Sequence, residues 1–150
     1  MSTFLTRLKK AFPHIGHRSI TENELFQFCS DNGVKVVTTS AIERGVYVRQ
    51  LGEDFIFLNS RLNGWQLLHV FAHEIAHFLL HVPTRTRNVE FHFDGKASCR
   101  NHREAESSAA LLLIPAHEIE KMLIDGEFRE NESLADLIAL RLDLVSKGFV

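Results

Sequence analysis

The sequence predicts an α+β fold in one domain, residues 1–150, with a small antiparallel sheet packed against a helical bundle. Three observations point that way. A capped helix start at Thr21 is soon followed by β-branched stretches. Two apolar stretches flank a polar turn at Gly52-Glu53-Asp54, as in a hairpin. From Asn63 to Pro83, and again from about Arg103 onward, the apolar residues keep helical spacing.

Residues 1–19 read as an N-terminal helical extension whose apolar positions are interrupted by charge. Thr21 and Glu24 have capping-box spacing, and Ile20 with Leu25 suits the hydrophobic staple. That helix should run to about Asp31 and stop at Gly33. Residues 34–38, 46–49 and 55–58 read as strands. Asn63 is placed to cap a long helix with Gln66 at its third position, and Pro83 should end it. Val89-Glu90-Phe91-His92-Phe93 alternates like a short strand. Helices are expected from about Arg103 to Leu113, from Pro115 to Gly126, and from about Ser133 to Ser146.

Composition narrows the function classes. The chain has 150 residues, 45% hydrophobic and 24% charged, with a formal net charge of −2, the profile of a globular protein. Nothing global points to nucleic acid, and the most basic stretch (Arg85, Arg87, Lys96, Arg100, Arg103) is interrupted by acidic residues. Cys29 and Cys99 make neither a Cys-x-x-Cys pair nor a disulfide framework. No signal-peptide core or membrane-length apolar run is seen, so a cytoplasmic location is expected, with no membrane or direct nucleic-acid partner. The nine histidines, crowded into the middle of the chain, are the unusual feature.

His73-Glu74-Ile75-Ala76-His77 lies within the long apolar helix. Residues four apart share a helix face, so two imidazoles can reach one metal ion, and Glu74 stands beside the first as a general base. Unrelated histidines are the bland alternative, but two of them and a glutamate in so apolar a helix are costly without partners. His81 continues the spacing, yet lies about 12 Å along the axis from His73, too far to share an ion. It reads instead as a helix-end residue favoured by the dipole. A third ligand must come from elsewhere, and periodicity does not choose between Glu104 and Glu106. Tyr47, His92 and His102 are candidate donors to a transition-state oxyanion.

The run from His73 to His81, followed by Glu104-Ala105-Glu106-Ser107-Ser108-Ala109-Ala110-Leu111-Leu112-Leu113-Ile114-Pro115, resembles the ImmA/IrrE metallopeptidases. That family pairs a His-Glu-leucine-Gly-His helix with a later Glu-Ala-Asn-x-Phe-Ala-x-x-Leu-Leu-Met-Pro segment. Ala76, Glu106 and Ser108 depart from its pattern. The resemblance implies zinc held by His73, His77 and Glu104, with Glu74 as catalytic base. Glu106, about 200° around its helix from Glu104, and His81, too far along its own, are not expected to matter to the metal. It further implies a zinc endopeptidase domain whose substrate is a protein, such as a helix-turn-helix repressor or antitoxin-like regulator of a bacterium, phage or mobile element. The alternative is a metal-binding but catalytically inactive regulator that binds a partner protein. A DNA-binding regulator using the last helix is a weaker rival, because Arg141 and Lys147 face Glu132, Asp136 and Asp143 there.

Overall fold

The computed structural model describes residues 3–81, 89–92 and 99–149, with side chains for 4–81 and 100–149. Pro83, Phe93 and the basic residues Arg85, Arg87 and Lys96 lie outside the described residues. The fold is α+β. Helices α1 (Thr3–Ala11) and α2 (Glu22–Asp31) precede strands β1 (Val34–Thr39), β2 (Gly45–Gln50) and β3 (Glu53–Asn59). Then come α3 (Gly64–His81), β4 (Val89–His92), α4 (Cys99–Leu113), α5 (Ile119–Asp125) and α6 (Glu132–Ser146), with 3₁₀ turns before α5 and α6.

The local signals hold. Thr21 caps α2 through the Glu24 N–H, and the Glu24 carboxylate accepts from the Thr21 N–H at 3.1 Å. Gly33 follows the helix with φ 71°. Asn131 caps α6 by accepting from the Leu134 N–H at 3.0 Å. α4 begins four residues earlier than the sequence suggests, which places His102 on a helix.

The sheet is mixed rather than purely antiparallel, with order β1-β3-β2-β4 and β1 parallel to β3. The cause is the crossing made by residues 40–44. They pass the end of β3 before β2 begins, and Asn59 holds them there: its N–H donates to the Arg44 carbonyl and its side chain to the Glu43 carbonyl, each at 2.8 Å. The hairpin turn is Leu51–Gly52, not Gly52-Glu53-Asp54, since Glu53 and Asp54 pair with Gln50 and Arg49. Both turn residues have positive φ, 52° and 78°, the hand that two-residue hairpins require.

α3 runs through the middle of the molecule, against the sheet and against α1, α2, α4 and α6. Its buried Val70, Phe71, Ala72 and Ile75 join Tyr47, Ile56 and Leu58 of the sheet, Leu112 and Leu113 of α4 and the following Ile114 in one core. Gly45 permits the close approach of β2, because a Cβ there would lie 2.6 Å from Val70 Cγ1. On α6, Arg141 is fully buried; its Nε donates to the Ile114 carbonyl at 2.8 Å and Nη1 to the Phe149 carbonyl at 2.7 Å. Lys147 pairs with Asp143 at 2.9 Å. Arg141 is therefore committed within the fold, whereas the Lys147 pair lies on the surface. Among the described residues no helix is long and apolar enough to cross a membrane.

Two stability effects follow from these contacts. Hydrogen bonds from Arg18 lower the Glu24 carboxyl from its ordinary 4.5 to about 2, against the opposing effect of burial and with help from Thr21. A lowered folded-state pKa stabilises above the unfolded value, and the gain fades as pH falls through the folded one. Urea melts of Glu24→Gln should therefore show a deficit of about 1 kcal/mol at neutral pH that narrows between pH 4.5 and about 2. Arg141→Met leaves the Ile114 carbonyl without its donor in the interior, at a cost of about 1–3 kcal/mol. Its urea midpoint should drop at every pH.

Candidate metal and catalytic site

The histidines of α3 recur at every fourth position, His69, His73, His77 and His81, each step rising about 6 Å along the helix. His69, His73 and His77 are buried, as is Glu74, only 1% exposed. Such groups in an apolar core need polar neighbours, and α4 brings them. Ala105, Ser108 and Ala109 of α4 are small and buried, which lets the two helices approach closely. Ser108 keeps its hydroxyl satisfied by donating to the Glu104 carbonyl at 2.7 Å.

The stripe is contacted at two places by carboxylates of α4. His69 Nε2 and Glu106 Oε2 are 2.7 Å apart, and His73 Nδ1 lies 3.4 Å from Glu106 Oε1. Burial alone would raise the Glu106 carboxyl, but its hydrogen bond with His69 and the nearby His73 ring outweigh that and hold it below the usual carboxylate range. At the other end, His81 Nε2 meets Glu104 Oε1 at 3.0 Å, while His81 Nδ1 lies 3.0 Å from His77 Nδ1. Arg100 approaches the other Glu104 oxygen at 3.6 Å. His81 is the last residue of α3, as its position predicts, and its side chain, 5% exposed, is also packed into the stripe. Glu106 lies behind His73, on the side of the ring away from His77.

Between these contacts, His73 Nε2 and His77 Nε2 face each other at 3.1 Å. Two imidazoles binding one tetrahedral zinc at 2.0–2.1 Å would hold their nitrogens about 3.3 Å apart. The pair is thus spaced for a shared metal ion, and neutral imidazole nitrogens are donors of the right chemistry. Glu104, held by His81, does not complete the set in this arrangement. Among the described residues, no group of three His, Cys, Asp or Glu side chains gathers about a common point as a full ligand set.

The candidate oxyanion donors separate in space. Tyr47 is buried on β2 and donates its hydroxyl to Asp54 Oδ1 at 2.5 Å. Burial first, then this bond, pushes its phenol up. His92 lies opposite Tyr47 in the sheet, and its side chain is outside the described residues. His102, half-buried on α4, puts its ring 5.2 Å from that of His73. His69 was missed by sequence reasoning, although its position four residues before His73 was a usable signal.

A polar cleft of about 310 Å³ reaches His69 from the side of α6, past Arg44, Gln66, Glu132 and Asp136. A larger one of about 580 Å³, lined by Phe12, Phe28 and Leu79, lies between α1 and α2, away from His73 and His77.

Neither the curated proteins nor the solved structures include a significant match. The profile of the M78 peptidases, described as the IrrE N-terminal-like domain, matches residues 29–134, from the end of α2 into α6 and across the whole histidine stripe. With most of its length matched by that profile, the chain belongs to the IrrE N-terminal-like family of M78 peptidases.

Proposed function

We propose that this chain is a zinc-dependent endopeptidase that cleaves a protein substrate in the cytoplasm. The observation that carries the reading is the His73–His77 nitrogen pair, 3.1 Å apart, with Glu74 buried beside it on the same helix. His73 and His77 would hold the metal. Glu104 is the third ligand by the family register, and on binding it would exchange its contact with His81 for the metal. When bound, the metal would polarise the scissile carbonyl and make a water more acidic.

The rest of the chemistry belongs to side chains. Glu74 accepts the proton of the attacking water and passes it to the nitrogen of the leaving amine. Its place in the core keeps that exchange away from bulk solvent. His102, with its ring beside His73, has the best-supported position for steadying the developing oxyanion. Tyr47 is less suited, because its hydroxyl is occupied by Asp54. The resemblance to ImmA/IrrE peptidases makes a helix-turn-helix repressor or antitoxin-like regulator the favoured substrate.

Elemental analysis of protein purified without chelator should find about one zinc per chain. Zinc near zero, with no uptake on titration, would overturn the reading. Glu74→Gln should keep the zinc while slowing cleavage of the cognate protein substrate by roughly 10²–10⁴-fold. Cleavage at the wild-type rate would remove Glu74 from the base role.

Glu104→Ala should weaken zinc binding by more than roughly 100-fold, beyond the usual loss of an outer hydrogen-bond partner. Competition with a chromophoric chelator measures this. A smaller loss would mean that Glu104 acts only through His81.

A further inference from the structure

We infer that Glu106, anchored by His69, is a positioning residue that holds the His73 ring in the form able to bind metal. The inference rests on the metal reading above and concerns residues that the family register leaves without a role. The two oxygens of Glu106 are divided between two histidines of the stripe: Oε2 lies 2.7 Å from His69 Nε2 and Oε1 3.4 Å from His73 Nδ1. The carboxylate is thereby tethered at one oxygen and presents the other behind His73.

The consequence is a choice of tautomer. A neutral imidazole carries one N–H, and a carboxylate beside Nδ1 draws the proton there. Nε2 is then left with its lone pair, and it is Nε2 that faces His77 at 3.1 Å. In metal-free protein, His77 Nε2–H can donate to that lone pair. In either state His73 keeps its proton on Nδ1, so its donor atom is ready before a metal arrives. A carboxylate behind a ligand histidine also fixes the ring plane and raises its basicity.

His69 explains why glutamate can serve at this position. Its ring is only 5% exposed and stands one helical step before His73. Without its contact the longer side chain would have a spare oxygen and three free torsions. With it, the carboxylate has one place to be.

The test compares Glu106→Leu, which removes both oxygens at similar volume, with Glu106→Gln, which keeps one acceptor oxygen. Chelator competition should show zinc binding weakened roughly 10–100-fold in the leucine variant and largely restored in the glutamine variant. Far-ultraviolet circular dichroism checks that each variant is folded. Long-range ¹H–¹⁵N spectra of the wild type supply a readout that needs no variant. They should show the His73 proton on Nδ1 both without zinc and with it. Undiminished zinc affinity in Glu106→Leu, or a proton on His73 Nε2 in the metal-free wild type, would overturn the inference while leaving the metal site standing. Failure of the wild type to take up zinc would overturn both.

Discussion

The packing of α3 on α4 is the contact on which the rest depends, because it puts polar groups in the interior and supplies partners for them. An α-helix that runs through the core should be apolar on every face. α3 instead carries four histidines and a buried glutamate. Each would cost a few kcal/mol if buried without a partner. Glu104 and Glu106 come from a single facing helix and meet opposite ends of the stripe. They lie about 200° apart around α4, so they straddle α3 rather than converge. The arrangement leaves the middle of the stripe, His73 and His77, with two nitrogens turned toward each other and two turned outward to their supports.

That separation depends on close approach. Alanines and a serine on α4, together with Gly45 on β2, remove side-chain bulk where elements press on α3. The apolar residues of α4 from Leu111 to Ile114 then continue into the main core, and Arg141 ties the end of that helix to the C-terminal residues. Sites of this kind need ligands whose rotamers are fixed by neighbours, since small displacements weaken metal binding and catalysis. Here the neighbours lie on long helices rather than loops, so the ring positions inherit the stiffness of the core.

Much of this was legible in the sequence, and the exceptions have physical causes. The capping box at Thr21, the strand residues and the His73–His77 spacing are local signals, and each appears where the sequence puts it. The parallel pairing of β1 was not legible. A five-residue connection reads as a hairpin loop, whereas the crossing is fixed by Asn59 at the far end of β3. The turn was misplaced because Leu51 is an unusual occupant of a left-handed position, which favours asparagine or glycine. The contact that Glu106 makes was beyond periodicity, because α4 is apolar on most of its surface and its rotation relative to α3 is set by tertiary contact.

His69 and Glu106 are most simply understood as one device rather than two residues. The ImmA/IrrE pattern has a shorter asparagine or aspartate where this chain has Glu106. A side chain longer by one methylene reaches further across the helix interface, but it has one more torsion to fix, at a cost of several tenths of a kcal/mol. A charged acceptor also has more capacity than one ring N–H can fill. The imidazole of His69 addresses both: it occupies the second oxygen and restrains the added torsion. Either residue alone would be a liability in the core, an imidazole without an acceptor or a carboxylate half satisfied. Together they let the position carry a full negative charge behind His73, where an amide would offer only a dipole.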